Sequence, residues 1–221
     1  MIAKFLRFLV YCLLAVLAAE IIRHDALATH IDNRFSEDSF TEHMQSVLLL
    51  ISAGISIFIF NKDSYYRMVA LLFFTLLACS FFREQDIYFE RYLGKTTWMY
   101  PVCLILMWSV YHLIRNFRRL VFELRNFVNS YSFGIFLTGF LTTFIFSRLF
   151  GRKIFWYAVM DERYFRAVKN AAEECLELFG YMMLLIATIE LLLESRKRAG
   201  LGERTNAKMP DYLVDWVRKS A

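Results

Sequence analysis

The chain has 221 residues, of which 58% are hydrophobic and 18% aromatic, with 23 Phe, 12 Tyr and only two Pro. Average soluble domains are roughly 45–50% apolar, and one domain of this length could not hide so much Phe and Leu from water, which excludes disorder and all but excludes a soluble enzyme. The formal charge of +5 and the pI of about 9.0 do not point to nucleic acid, because the basic residues sort by membrane side rather than forming one patch.

A helix needs about 20 mostly apolar residues to cross the roughly 30 Å hydrocarbon layer. Six stretches qualify, approximately 5–22, 44–60, 66–82, 97–114, 132–150 and 172–193. Backbone amides in lipid must be satisfied within the segment, so these runs are expected to be helices. The alternating strands of a membrane barrel are absent. The expected fold is therefore all-α, a polytopic six-helix bundle over residues 1–194 followed by a basic tail at 195–221.

The first run, behind Lys4 and Arg7, also has the charged start of a signal peptide. Ala18-Ala19 makes a poor cleavage site, so a retained span is the better reading. Segment 116–131 alternates Arg with Leu, Val and Phe at helical spacing. It reads as a basic amphipathic helix on the inner lipid surface, or as an extension of the fourth span. In the tail, PDYLVDWVRKS reads as a second short amphipathic helix with Pro210 at its start.

Lys and Arg bias sets orientation. With both termini inside, 15 basic and 7 acidic residues lie on the inner side, against 11 and 14 on the outer. The net +5 thus divides into +8 and −3. The short loop 61–65, which carries Lys62, and the basic loop 115–131 fit the cytoplasmic side of a cell inner membrane, although the outer loop 151–171 is basic too. That loop also carries Phe155, Trp156, Tyr157 and Tyr164, which suit an interfacial aromatic belt. The expected partners are the bilayer itself and a membrane partner protein or a second copy of the chain.

Charged groups within a span cost roughly 2.5–3.5 kcal/mol at its centre and usually face the bundle interior. In this topology they gather at the outer face. Glu42, His43 and Gln45 open the second span, Arg83, Glu84 and Asp86 close the third, Arg148 closes the fifth, and Glu173, Glu174 and Glu177 open the sixth. Glu173 and Glu174 each share a helix face with Glu177. Glu177 stands about a turn inside the membrane, and Gly180 beyond it would let another helix approach closely.

Two readings follow. Glu42, His43, Glu84, Glu173 and Glu177 have the chemistry of an oxygen-rich divalent site, suited to Mg, Mn, Ca or Fe more than Zn. Glu177 and Glu84 would then be the catalytic carboxylates of a metal-dependent membrane enzyme acting on a lipid or lipid-linked substrate. Arg83 and Arg148 would hold an anionic headgroup, with Asp86 and Glu174 in the ion-pair network. Alternatively the same charges are a structural ion-pair network in a scaffold, or the vestibule of a cation or proton pathway. Macrodipole stabilisation accounts for Glu42, Glu173 and Glu174 at helix starts, but not for Glu177's depth or for Glu84 at a C-terminal end.

No HExxH, P-loop, GxSxG or CxxC motif is present. The cysteines Cys12, Cys79, Cys103 and Cys175 are expected to be buried structural thiols.

Overall fold

The computed structural model describes residues 2–27, 35, 39–63 and 65–205, and the regular structure within them is entirely helical. The chain runs through α1 (Ile2–Ala26), α2 (Phe40–Lys62), α3 (Arg67–Glu84), α4 (Asp86–Leu93), α5 (Met99–Arg115) and α6 (Phe117–Val128). Then come α7 (Tyr131–Phe140), a π-helical turn (Leu141–Phe146), α8 (Ser147–Phe150), α9 (Lys153–Met160) and the long α10 (Arg166–Thr205). The tail helix expected at 210–220, with His30 and most of the first outer loop, lies outside the described residues.

Each of the six apolar runs folds as a helix, but they differ in reach. Four are long and apolar enough to cross a bilayer, at Phe5–Ala26, Phe40–Lys62, Tyr131–Phe150 and Arg166–Arg198. A fifth is reached if α3 and α4, bent by 55° at their junction, are taken as one broken span. The apolar run that opens at Thr97 becomes helix only at Met99, after turns at 95–98 and a left-handed Gly94. Its 17 residues extend about 25 Å at 1.5 Å per residue, short of the hydrocarbon thickness. Length and composition thus support four or five of the six expected crossings.

The core lies between α2, α3 and α10, where Leu49, Ile59, Val69, Leu71, Leu77, Leu184 and Leu191 are all buried. Phe73 of α3 reaches Phe127 of α6 and Phe136 of α7, with ring centroids 5.5 and 4.7 Å apart. Two helices stay at the margin. No residue of the apolar window of α1 is buried, and α5 buries only Ser109, which accepts a 2.7 Å hydrogen bond from Thr75 of α3. Hence Cys12 on α1 and Cys103 on α5 are exposed rather than buried; all four thiols are free.

Helix starts are satisfied by distant carboxylates. Asp25, at the end of α1, accepts from Phe40 N at 3.2 Å and Thr41 N at 2.7 Å, so it caps α2 together with Ser39. At α3 the capping position is Tyr66, whose side chain makes no cap bond. Glu123 of α6 supplies one instead, accepting from Met68 N at 2.6 Å and Val69 N at 3.1 Å while Arg119 holds its other oxygen at 2.7 Å. The amphipathic helix expected at 116–131 is present as α6, and this cap ties it to the bundle together with Phe127, which is buried against Phe73. Tyr66 itself is buried and donates to Glu194 at 2.9 Å.

The closest crossing is between α7, its π turn and α10. A Cβ on Gly139 would stand 2.9 Å from Gly180 O, and one on Gly180 would stand 3.1 Å from both N and Cβ of Thr143, against its hydroxyl. Backbone therefore meets backbone. Gly180→Ala should overpack this crossing and lower stability by about 1–3 kcal/mol. Gly54→Ala, in α2 with nothing within 4 Å of the added methyl, should gain about 0.5–1 kcal/mol. Thermal unfolding of both variants in detergent tests the contrast, and equal shifts would contradict it.

Candidate functional site

The tight α7–α10 crossing carries α8 against the first turns of α10, and this is what brings Arg148 to Glu177. Glu177 points into the bundle with 4% of its side chain exposed. Arg148 Nη2 lies 2.9 Å from Glu177 Oε1, and Arg83 Nη2 of α3 lies 3.8 Å from Oε2. Ser147 donates to the same carboxylate at 3.3 Å. Sequence spacing anticipates this depth, and the structure adds the two cations that answer it.

Around this centre the contacts extend into a network, and a separate Gln45–Glu174 pair stands beside it. Arg83 pairs with its neighbour Glu84 and donates to Tyr181 Oη at 3.3 Å. Tyr181, one turn beyond Glu177 on the same face of α10, donates to Glu84 Oε1 at 2.7 Å. Arg148 also reaches Glu173 at 3.2 Å, and Lys169 pairs with Glu173 from one turn earlier. Gln45 of α2 donates through Nε2 to Glu174 Oε2 at 2.9 Å and to its backbone carbonyl at 3.2 Å. Gly151 is part of the same construction, since a Cβ there would come within 2.7 Å of the Glu173 carboxyl carbon.

Of the residues named from sequence, Arg83, Glu84, Arg148, Glu173 and Glu177 meet in this network, and Glu174 stands beside it. Glu42 and His43 stand on the first turn of α2, where His43 is exposed and its ring lies 6.4 Å from that of Tyr88. Asp86 opens α4, where its charge suits the helix N-terminus. Among the described residues, no group of three His, Cys, Asp or Glu is placed to hold a metal ion. Glu84, Glu173 and Glu177 meet guanidinium and ammonium groups instead, and Glu174 meets an amide.

Gln45, Tyr181 and Lys169 complete this arrangement although sequence reasoning did not select them as site residues. Gln45 stands in the polar layer at the start of the second span but carries no charge, and the i, i+4 spacing of Lys169 to Glu173, and of Glu177 to Tyr181, is the signal that marks the other two. Two buried polar atoms beside the network have no partner within the structure, Gln45 Oε1 and Thr143 Oγ1. Thr143 sits on the π turn, a distortion that is frequent at working sites.

A second polar cluster occupies the opposite end of α10. Arg7 of α1 lies 3.0 Å from Glu190 Oε2, and Tyr11 donates to Glu190. The cation for Glu190 thus comes from α1 rather than from Arg196 or Lys197 further along α10. Asp63 accepts from Ser195, and Glu194 from Tyr66 and Arg198. Between the two ends, Ser52, Ser56 and Thr188 each donate to a carbonyl one turn earlier on their own helix.

Removing the Arg148 cation should leave Glu177 with Arg83, at 3.8 Å, as its remaining cationic partner. Arg148→Met is expected to lower stability by about 2–3 kcal/mol, less than for a fully enclosed pair because the guanidinium is partly solvated. The double variant Arg148→Met, Glu177→Leu should recover most of that loss. Denaturant unfolding of the single and double variants measures the coupling, and additive losses would show that the two residues do not act together.

Comparison of the chain with protein-family models, with curated proteins and with solved structures finds no match.

Proposed function

We propose that the chain is an integral membrane protein that handles protons or monovalent cations at the carboxylate–arginine network of its outer end. The observation that carries this reading is a charge imbalance. Three carboxylates, Glu84, Glu173 and Glu177, pair with three cations, Arg83, Arg148 and Lys169, and a fourth carboxylate, Glu174, stands beside them on Gln45. A surplus negative charge in a low-dielectric site is neutralised by taking up a proton or a small cation. Glu174, held by the neutral amide of Gln45, is the member whose charge has no direct cationic partner among these contacts.

This reading is preferred to a metal-dependent enzyme acting on a lipid, because Glu84, Glu173 and Glu177 pair with basic side chains and no three ligands converge among the described residues. It is preferred to an anion site because Arg83 and Arg148 already face carboxylates of the same chain. The accompanying topology has six crossings in a cell inner membrane, both termini inside, with α3 and α5 as short spans. The meeting of Arg7 with Glu190 supports it, since the start of α1 and the second half of α10 share one end.

A second reading is favoured by the middle of the bundle. The hydroxyls of Ser52, Ser56 and Thr188 turn back onto their own helices, so they form no relay between the two polar ends. On that basis the network is an ion-pair lock in a scaffold protein that docks a membrane partner or a second copy.

Proteoliposomes carrying an internal pH-sensitive dye separate the two. Under an imposed proton gradient, the wild-type protein should equilibrate pH faster than protein-free vesicles, and Glu177→Gln should abolish the difference while keeping its helical content. Wild-type flux equal to that of empty vesicles, repeated with Na⁺ and K⁺ gradients, would remove the transfer reading and leave the lock.

A further inference from the structure

The second half of α10 bounds a cavity that the outer-end reading does not use. It has a volume of about 940 Å³ and lies between α1, the α6–α7 junction and α10. Phe8 and Leu193 give it apolar walls, and Arg7, Lys197 and Arg198 bring three positive charges to its lining. Glu190 and Glu194 bring two negative ones.

The pairing within the cavity assigns its surplus charge. Glu190 is taken by Arg7 and Tyr11, and Glu194 by Tyr66 and Arg198. Arg198 is further held by the Tyr65 hydroxyl at 2.7 Å. Lys197 is exposed and supplies the positive charge left over. Positions 190, 194 and 197 fall on one face of α10, the face turned to α1. The guanidinium of Arg7 meets Glu190 through a single terminal nitrogen, Nη1, and is 43% exposed. Since α1 buries no residue of its apolar window, the crevice beside it opens sideways to the bilayer. Tyr131, also exposed on the lining, has the amphipathic character of an interfacial residue.

We propose that this cavity is a binding site for one anionic phospholipid of the inner leaflet. The phosphodiester sits against Lys197 and the outward side of Arg7, and an acyl chain lies along Phe8 and Leu193. A net positive pocket between helices at the basic end of a bundle is the arrangement that selects such headgroups. The apolar walls distinguish a lipid from a free phosphate, which would gain nothing from them. The proposal depends on membrane embedding but not on what the outer network does.

The test uses the full-length chain in nonionic detergent, titrated separately with short-chain phosphatidylglycerol, short-chain phosphatidylcholine and sodium phosphate, and followed by thermal unfolding. Phosphatidylglycerol should raise the unfolding temperature more than either of the others. Lys197→Gln, an exposed substitution that breaks no ion pair described above, should raise the phosphatidylglycerol concentration needed by about fivefold. Arg118→Gln, which removes the same charge from an exposed position on α6 outside the cavity, should leave the titration unchanged. Equal stabilisation by the two lipids, an equal loss in the two variants, or an effect of phosphate alone matching that of phosphatidylglycerol would each overturn the proposal.

Discussion

The contact between α7 and α10 at Gly139 and Gly180 governs much of what surrounds it. In lipid, helices gain nothing by burying apolar surface from water, so close packing of small residues and interhelical polar contacts hold them together. Here the packing and the polar contacts belong to one construction. With backbone against backbone at Gly180, the π turn and α8 run down the same side of α10, and Ser147 and Arg148 arrive at Glu177. Moving α7 outward by the width of a methyl group would lengthen the 2.9 Å pair and expose a buried carboxylate to an apolar environment. Arg83 approaches from α3 on the other side, so the charge of Glu177 joins three helices that are far apart in sequence.

α10 is the organiser at both ends. Its first turns carry Lys169, Glu173, Glu174 and Glu177, and its later turns carry Glu190, Glu194, Ser195 and Arg198. Between them lies a buried apolar stretch that includes Leu184 and Leu191, packed on α2 and α3. The two ends differ in balance. The end that carries Glu177 holds more carboxylates than cations, and the cavity at the other end holds more cations than carboxylates. Charge that is unfavourable in lipid is thus kept at the ends of the helix, where water or headgroups can share it.

Much of the architecture is legible from the amino acids alone. Long apolar runs in a chain with few prolines read as helices because lipid offers backbone amides no other partner, and all six such runs fold as helices. The depth of Glu177 and the small side of α10 at Gly180 are also readable, since burial depth and side-chain size follow directly from position in an apolar run. Membership of the outer network by Arg83, Glu84, Arg148 and Glu173, and the place of Glu174 beside it, follow from charge at a common level. Glu42 and His43 share that level and the same chemistry, yet no metal-holding group forms around them among the described residues.

What the sequence determined by itself is the solvent the chain is built for, the helices, and the sorting of charge into a basic and an acidic end, because each of these is a sum over local residue properties. The tertiary structure decided which charges meet. Asp25 reads as a loop residue until the end of α1 is laid against the start of α2, where it becomes a cap. Glu123 reads as part of a surface helix until it satisfies the amides that Tyr66 leaves open at α3. Glu190 finds its cation on α1, 183 positions away in sequence, rather than one or two turns along its own helix. Reach in an α-helix is set by side-chain direction and by what packs opposite, and neither is encoded at the position of the charge itself.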